Sequence, residues 1–514
     1  MILIGILSLI LYSSYKEYTI KELKEVIMIS VLLVIYSISI LWNSTSLITI
    51  GKGLLTLNNN LLVTPASIVI QLLILILVFL YLIILFQYIN NNKGNGLLAM
   101  NEPSSEFIIL VLLNAFAISL FVESINSLII FIMIELQSYT LYIITTSFYK
   151  NDTNNKLSIN SAKSGLIYFL LGSLASILIL IGLALIYSET GLINIIDIMM
   201  YTNTNINLNT NIMTLSLLLI FVGLLFKIGI APLHNWLINI YNDVPTIVTV
   251  WISLVTKISI FTFIYTILHM FNYIYINNSI VIEILQLIAI MSMIIGGING
   301  LSQISLKKLL AYSGLANAGY ILYSITTNNQ YTLLAYIFNI YQYSLTHFNI
   351  FLIIILTLIY YKNWYNSNML INKSNTYNIT TYINIRDLYN FISCNKALTL
   401  CYIISLTSFM GIPPLAGFYG KYYILISGLL SGYWLGALVL ILVSCITAYY
   451  YGYIIRTLTS VNINISNINV TSTKISYTLS YTISLLTLLI LMPMLSLDIY
   501  INGSVILDYY QWIL

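Results

Sequence analysis

The sequence predicts an all-α membrane protein whose chain crosses the bilayer many times. Only 7% of its 514 residues are charged and 60% are hydrophobic, whereas a soluble domain carries about 25% charged residues. A soluble chain of this length would lack the charge to cover its surface, and disordered chains are poor in apolar residues. The apolar runs are continuous rather than alternating, which argues against a membrane β-barrel.

The predicted spans follow from the length of helix that crosses a bilayer, which is about 20 apolar residues. Short polar connections separate most of the apolar runs, and fourteen runs qualify. They cover residues 1–14, 26–44, 66–90, 106–124, 126–149, 160–187, 210–231, 245–271, 278–300, 305–326, 329–361, 397–430, 433–457 and 475–496. The longest connection, 362–396, is predicted to contain a short surface helix near Arg386.

The basic residues give this arrangement an orientation. Fifteen of the 19 Lys and Arg residues fall in loops, or at the span ends next to them, on the side opposite the N-terminus, one falls on the same side, and three lie deep inside spans. The fifteen are Lys16, Lys21, Lys24, Lys93, Lys150, Lys156, Lys163, Lys307, Lys308, Lys362, Lys373, Arg386, Lys396, Arg456 and Lys474. Loops on the cytoplasmic or matrix face are rich in Lys and Arg. Both termini are therefore predicted to face away from that side.

Four ionisable residues lie deep inside the predicted spans: Glu135, Lys227, Lys257 and Lys421. Each costs about 2.5 kcal/mol or more to place in hydrocarbon. Lys257 is the deepest, because it follows Pro245 by 12 residues, or about 18 Å of helix. A structural salt bridge with lysines that extend to the interface is the simpler explanation. Four such charges together favour a proton path, in which a Glu135–Lys227 pair acts as a switch.

Histidine is the other residue type suited to proton relay, because imidazole titrates near neutral pH. His234 lies at a helix break and His347 lies within a span. Both are candidate relay residues, although a lone buried histidine is often a hydrogen-bonded structural group. The three cysteines lack a CxxC spacing, and neither a haem-binding histidine pair nor a phosphate-binding glycine motif is present. We therefore expect this chain to bind no cofactor, metal ion or nucleic acid.

Two similar segments interrupt long apolar runs. Residues 229–233 read GIAPL and residues 411–415 read GIPPL. Pro232, Pro413 and Pro414 remove backbone donors and clash with the preceding turn, so both helices are predicted to break there, with a simple kink as the alternative. The breaks lie in spans seven and twelve. These two spans are five apart, and because five is odd the two segments cross the membrane in opposite directions. The sequence therefore predicts an inverted repeat of spans 4–8 and 9–13, an arrangement found in many ion transporters.

Three motifs resemble those of the antiporter-like membrane subunits of respiratory complex I. They read FKIGIAPLHNW at 226–236, SLKKLLAYS at 305–313 and GIPPLAGFYGK at 411–421. The resemblance covers roughly residues 100–457. Within this family the chain is most similar to the subunit 2 members, because Lys421 stands where subunit 4 members generally have a glutamate.

The resemblance implies a fourteen-helix bundle with an inverted repeat, and a role for each buried charge. Glu135 matches the family's fifth-span glutamate, and Lys227 matches the seventh-span lysine that pairs with it. Lys257 matches the lysine that connects the two halves, and Lys421 matches the exit lysine. Chains of water would carry protons between these side chains.

Three positions depart from the family pattern. Ile238 and Asn239 stand where the family usually has Pro-Asp, and Asn317 stands where it often has histidine. Because asparagine does not titrate, a relay at Asn317 is in doubt. His347, on the neighbouring span, is the candidate to replace it.

The sequence therefore predicts a proton-translocating subunit of the membrane arm of complex I, in the mitochondrial inner membrane. NADH, FMN, iron–sulfur clusters and ubiquinone are expected in other subunits. The predicted partners are neighbouring antiporter-like subunits, accessory subunits and phospholipids. Residues 1–105 would form accessory helices, 106–271 and 278–457 the two repeats, and 458–514 a C-terminal helix and tail. A cation/proton antiporter subunit and a structural scaffold that does not pump are the alternatives.

Overall fold

The fold is taken from a computed structural model of the chain. It describes residues 2–15, 20–44, 54–91, 104–147, 156–204, 210–271, 280–369, 384–389, 391–460 and 476–492.

Eighteen α-helices make up most of the described chain, which confirms the predicted all-α membrane fold. They are α1 Ile2–Tyr15, α2 Ile20–Ser44, α3 Pro65–Asn91, α4 Ser105–Glu123, α5 Ser127–Thr146, α6 Lys156–Thr190, α7 Ile195–Thr204, α8 Thr210–Ile228, α9 Asn235–Asp243, α10 Thr246–Met270, α11 Ile280–Leu301, α12 Leu306–Thr326, α13 Thr332–Met369, α14 Phe391–Cys394, α15 Lys396–Met410, α16 Ala416–Leu430, α17 Trp434–Thr459 and α18 Tyr477–Leu491.

Each of the fourteen predicted spans coincides with one of these helices or with a consecutive pair. Ten helices in the described ranges are long and apolar enough to cross a membrane, and α1, α15 and α18 are shorter apolar helices. The number of helices that cross the membrane therefore stays a prediction.

Both predicted helix breaks are present. Helix α8 ends at Ile228, within predicted span seven, and α9 begins at Asn235, beyond the end of that span. Span twelve is divided into α15 and α16. A glycine with positive φ follows the first half of each, at 76° for Gly229 and 84° for Gly411. Residues other than glycine rarely adopt this conformation, so glycine ends each half-helix at a defined point. The discontinuous helices are confirmed, and the inverted repeat stays a prediction.

The connections between the long helices contain three short elements that were not predicted, namely two strands and one helix. Strands β1 Leu54–Thr56 and β2 Leu61–Val63 form an antiparallel hairpin, and α7 is an additional short helix. The hairpin contacts the connection between α4 and α5, where the Ile125 backbone N–H donates to the Asn60 carbonyl at 3.1 Å. In the long connection, a 3-10 turn at Ile385–Leu388 lies where the surface helix was predicted.

The described chain divides into two compact units. The first contains the residues up to Gly229 together with Trp251–Leu285, and the second contains Ile230–Val250 and the residues from Gln286 onward. The predicted domain boundaries at 105, 271 and 457 are not tested by this division and stay predictions.

In the first unit, helices α6 and α8 approach closely because each places a glycine against the other. A Cβ atom at Gly182 would lie 2.8 Å from the Ser216 carbonyl oxygen, and one at Gly223 would lie 2.8 Å from the Ala175 carbonyl oxygen. Small residues allow such close contact between membrane helices, where van der Waals packing supplies much of the association energy.

We expect Gly223→Ala to destabilise the fold by about 1–3 kcal/mol, because the added methyl group forces α6 and α8 apart. The measurement is thermal unfolding of the full chain in its native membrane. Gly452→Ala is the matched control, since a Cβ there meets only the Met410 Cε atom at 3.8 Å. It should be neutral or slightly stabilising. Equal unfolding temperatures for the two variants would contradict the role given to Gly223.

Candidate functional site

The first unit brings Glu135 and Lys227 together as an ion pair. Glu135 lies in the middle of α5 and Lys227 in the last turn of α8, and both helices pack against α6. The Lys227 Nζ atom donates to Glu135 Oε1 at 3.0 Å. The lysine side chain is 8% exposed and the glutamate 15%. This is the pairing that the sequence predicted, and the role of the pair stays a prediction.

The end of α8 explains why a lysine is tolerated at this buried position. Helix α8 ends one residue after Lys227, and the Gly229 backbone N–H donates to the carbonyls of Leu225 and Phe226, each at 3.0 Å. The C-terminal end of a helix carries partial negative charge, which stabilises a cation nearby. The carboxylate of Glu135 adds a full negative charge. The site can therefore hold an ammonium group as long as both are in place.

Lys257 lies in α10 of the same unit and is 2% exposed. Its helix carries buried hydroxyl groups on both sides of it in sequence, at Thr256 and Ser259. Lys257 thus sits in a polar stretch of an otherwise apolar helix. The role of Lys257 in proton transfer stays a prediction.

A buried hydrogen-bonded layer joins α4, α5 and α10 close to these charges. The Gln137 Nε2 atom donates to Ser259 Oγ at 3.0 Å, and the Asn114 Nδ2 atom donates to Thr140 Oγ1 at 2.7 Å. Gln137 and Ser259 each lie two residues along the chain from a candidate charge. The sequence reasoning missed this layer. Neutral amides inside apolar runs, as at Asn114 and Gln137, were the signal that could have revealed it.

In the second unit, Lys421 lies in α16 and is bound by the other half of its broken helix. Its Nζ atom donates to the carbonyl oxygens of Phe409 and Met410, each at 2.9 Å. These carbonyls belong to the last turn of α15, so the ammonium group caps the negative end of that helix. The same Nζ atom lies 5.8 Å from the centre of the Tyr320 ring.

The two candidate relay histidines are both buried. His234 directly precedes α9, and its Nδ1 atom lies 3.1 Å from the Pro232 carbonyl oxygen. His347 lies in α13 with its ring 5.0 Å from the Tyr343 ring and 4.7 Å from the Phe351 ring. Aromatic packing holds the imidazole in place. Its proposed substitution for a histidine at position 317 stays a prediction.

Lys307 is a buried cation that the sequence reasoning placed in a loop. It lies in the first turn of α12, is 3% exposed, and donates to the Val244 carbonyl oxygen at 2.7 Å. Val244 follows the last residue of α9, so this lysine caps the negative end of that short helix. Lysines near span ends usually extend to the interface, and for that reason this contact could not be predicted from the sequence.

The described residues contain no group of three or more His, Cys, Asp or Glu side chains that could hold a metal ion. Cys401 and Cys445 are both free cysteines.

Comparison with known proteins gives a family match. Residues 124–447 match the family described as NADH:quinone oxidoreductase/Mrp antiporter, TM. The chain is 34% identical to the NADH-ubiquinone oxidoreductase chain 2 of Candida albicans over 406 residues, which cover 79% of this chain and 77% of that one. It is 34% identical to the same-named protein of Rhizopus oryzae over 369 residues, or 72% of this chain and 65% of that one.

A solved structure shares the fold. It is titled as respiratory complex I from Thermus thermophilus with bound aureothin, and the match has a TM-score of 0.72 over 97% of each chain. The two sequences are 22% identical, so this match is evidence for a shared fold alone.

Proposed function

This chain belongs to the family of membrane subunits shared by NADH:quinone oxidoreductases and Mrp antiporters, and we propose that it translocates protons in the membrane arm of mitochondrial complex I. The observation that carries the proposal is the buried ion pair of Lys227 and Glu135 at 3.0 Å, with the buried Lys257 in the same unit. The names of the relatives from Candida albicans and Rhizopus oryzae support the assignment to complex I.

In the proposed mechanism the Glu135–Lys227 pair has two states. In the closed state the carboxylate stabilises the ammonium group of Lys227. When a change in a neighbouring subunit draws Glu135 away, the buried ammonium loses its counter-ion and its charged form becomes costly. The Nζ–H bond then breaks, and the proton passes through hydrogen-bonded water toward Lys257. No electron moves in this step.

Lys421 is proposed as the exit group in the second unit. Its ammonium is held by two backbone carbonyls, at 2.9 Å each, rather than by a carboxylate. Carbonyl dipoles stabilise a cation less than a full negative charge does. A lysine bound in this way can release its proton without first losing a salt bridge. His234 and His347 are the candidate relays.

The surface of α5 near Glu135 supports a protein partner there. Ile132 and Tyr139 lie on the same helix face as Glu135 and are exposed. A neighbouring membrane subunit that packs on this face would lie beside the carboxylate and could move it. Other exposed apolar faces, such as that of α17, would contact accessory subunits or phospholipid. NADH, FMN, iron–sulfur clusters and ubiquinone are proposed to reside in other subunits of the complex.

The proposed location is the mitochondrial inner membrane, with both termini on the intermembrane-space side. The excess of basic residues in the loops on one side supports this orientation, because such loops face the matrix.

Isolation of the chain from its native membranes tests the assignment. We expect it to be recovered with flavin- and iron–sulfur-containing subunits and with NADH:ubiquinone activity. The Mrp antiporters included in the family description make a cation/proton antiporter the second candidate. Recovery without redox subunits, together with sodium-dependent proton exchange in vesicles, would favour that candidate instead.

A further inference from the structure

Tyr142 is a buried phenol on the side of α5 that carries Glu135. The two residues are seven apart with Ser138 between them, so all three lie along one side of the helix. A long side chain in a helix extends toward the N-terminus, which brings the phenol back over Ser138. The Tyr142 hydroxyl forms a hydrogen bond with the Ser138 side chain and lies within electrostatic range of Glu135. A phenol hydroxyl therefore lies beside the Glu135–Lys227 pair without being part of it.

Aromatic packing and a glycine fix the position of this hydroxyl. The Tyr142 ring is 6% exposed and meets the rings of Tyr168 and Phe169 edge to face, with centres 4.7 and 5.7 Å away. Both neighbours belong to α6. A Cβ atom at Gly172, one turn further along α6, would overlap the Tyr142 hydroxyl, so glycine leaves the space that the hydroxyl occupies. The phenol can therefore change its hydrogen-bond acceptor by rotating its O–H bond, while its ring stays in place.

The phenol acts as a donor in this group of side chains. Ser138 gives its own proton to the backbone carbonyl of Glu135, at 2.9 Å. The Ser138 oxygen is therefore left to accept, and the phenol donates to it. This bond joins two neutral groups, whereas a hydrogen bond from the same phenol to a carboxylate would be roughly twice as strong. The Tyr142 hydroxyl would thus exchange Ser138 for a carboxylate that came within reach.

Glu135 needs such a donor when it leaves Lys227. In the closed pair its Oε1 atom accepts the hydrogen bond from Lys227 at 3.0 Å, and no described residue donates to its Oε2 atom. The glutamate side chain is only 15% exposed. Once the pair opens, the carboxylate is a partly buried charge without a partner, which is costly. A donor one helical turn beyond Ser138 lowers that cost.

We propose that Tyr142 is a positioning residue that stabilises the open state of the pair, by donating a hydrogen bond to the Glu135 carboxylate after it has left Lys227. The proposal rests on the proposed function. In the closed state the phenol donates to Ser138, and in the open state it donates to the carboxylate. Only hydrogen bonds are exchanged, so Tyr142 keeps its proton throughout. The phenol thereby sets how often Lys227 is without its counter-ion.

The test is Tyr142→Phe in the assembled complex, measured as proton translocation in sealed vesicles. Phenylalanine keeps the ring and its contacts with Tyr168 and Phe169, and it removes only the hydroxyl. We expect translocation to slow by about tenfold, the factor that corresponds to loss of one hydrogen bond to a charged group. Tyr187→Phe is the matched control, because Tyr187 is 55% exposed on α6, and it should match the wild type.

The Glu135→Gln background separates a positioning role from a packing role. Glutamine offers no charged acceptor, so Tyr142→Phe should leave the translocation rate of that variant unchanged. A further loss of rate in this background would show that Tyr142 acts through packing, and it would overturn the proposal. A wild-type rate in the single variant Tyr142→Phe would overturn it as well, while leaving the proposed function intact. Failure of the proposed function shows separately, as wild-type translocation by Glu135→Gln alone.

Discussion

Lys257→Met is expected to stop proton translocation through this chain while the complex still assembles. Lys257 is 2% exposed in α10, and methionine keeps a long apolar side chain while it removes the group that binds the proton. Groups that transfer protons contribute about 10²–10⁴-fold to the rates of the reactions they serve. We therefore expect the translocation rate to fall about 100-fold or more. The measurement is proton uptake or release per NADH oxidised, with the purified complex in sealed vesicles.

Assembly is the second measurement for this variant, because it separates a proton-transfer role from a scaffold role. Methionine has a volume similar to that of lysine and no charge that must be kept from water, so we expect the complex to remain intact. Lys163→Met is the matched control, since Lys163 is exposed on α6. A Lys257→Met complex with the wild-type ratio of protons to electrons would reject the proton path and favour a structural scaffold.

Glu135→Gln is expected to slow proton translocation through the first unit by about tenfold or more. Glutamine keeps the shape of the side chain, so the packing of α5 is preserved. The Lys227 ammonium, at 3.0 Å from Glu135 Oε1, then loses its counter-ion in a buried site. Breaking one side of a buried pair costs about 3–5 kcal/mol. Lys227 avoids this cost by giving up its proton, and without the carboxylate it cannot be reloaded efficiently.

A double-mutant cycle shows whether the two residues act as a pair. Lys227→Met and Glu135→Gln should each destabilise the complex, and the double variant should lose less stability than the sum of the two. Thermal unfolding gives the stability, and the vesicle assay gives the rate. Glu123→Gln, at the end of α4, is the carboxylate control. Additive effects in the cycle, or wild-type translocation by Glu135→Gln, would remove the switch from the mechanism.

The helices could be predicted from the sequence because apolar runs of sufficient length leave few other structures in a membrane. Glu135 and Lys227 could be predicted as a pair because charges are so scarce in these runs. The breaks at Pro232 and Pro413 followed from proline chemistry together with the adjacent glycines. In each of these cases a charged residue or a proline interrupts a run of apolar residues, so the position can be recognised in the sequence.

The contacts that were not predicted involve residues whose type and sequence context do not distinguish a buried side chain from an exposed one. Lys307 lies at the beginning of a helix, where an exposed lysine and a buried one have the same sequence context. Asn114 and Gln137 are neutral, so a count of charges passes over them. Buried tyrosines such as Tyr320, Tyr402 and Tyr451 are hidden among 43 tyrosines, and only the packing shows which of these are buried. The short strands at Leu54–Thr56 and Leu61–Val63 have too few residues for a periodic pattern.

Lys421 has a consequence for the mechanical behaviour of the broken helix. The lysine belongs to α16, but the carbonyls that it binds belong to α15, so its charge fastens one segment to the other across residues 411–415. A neutral amine holds those carbonyls less strongly than an ammonium does. The stiffness of this joint is therefore linked to whether the lysine carries a proton, and by reciprocity a force that opens the joint favours release of the proton. The hydrogen bonds of Lys421 therefore connect the two helix segments with a strength that depends on the protonation state of the lysine.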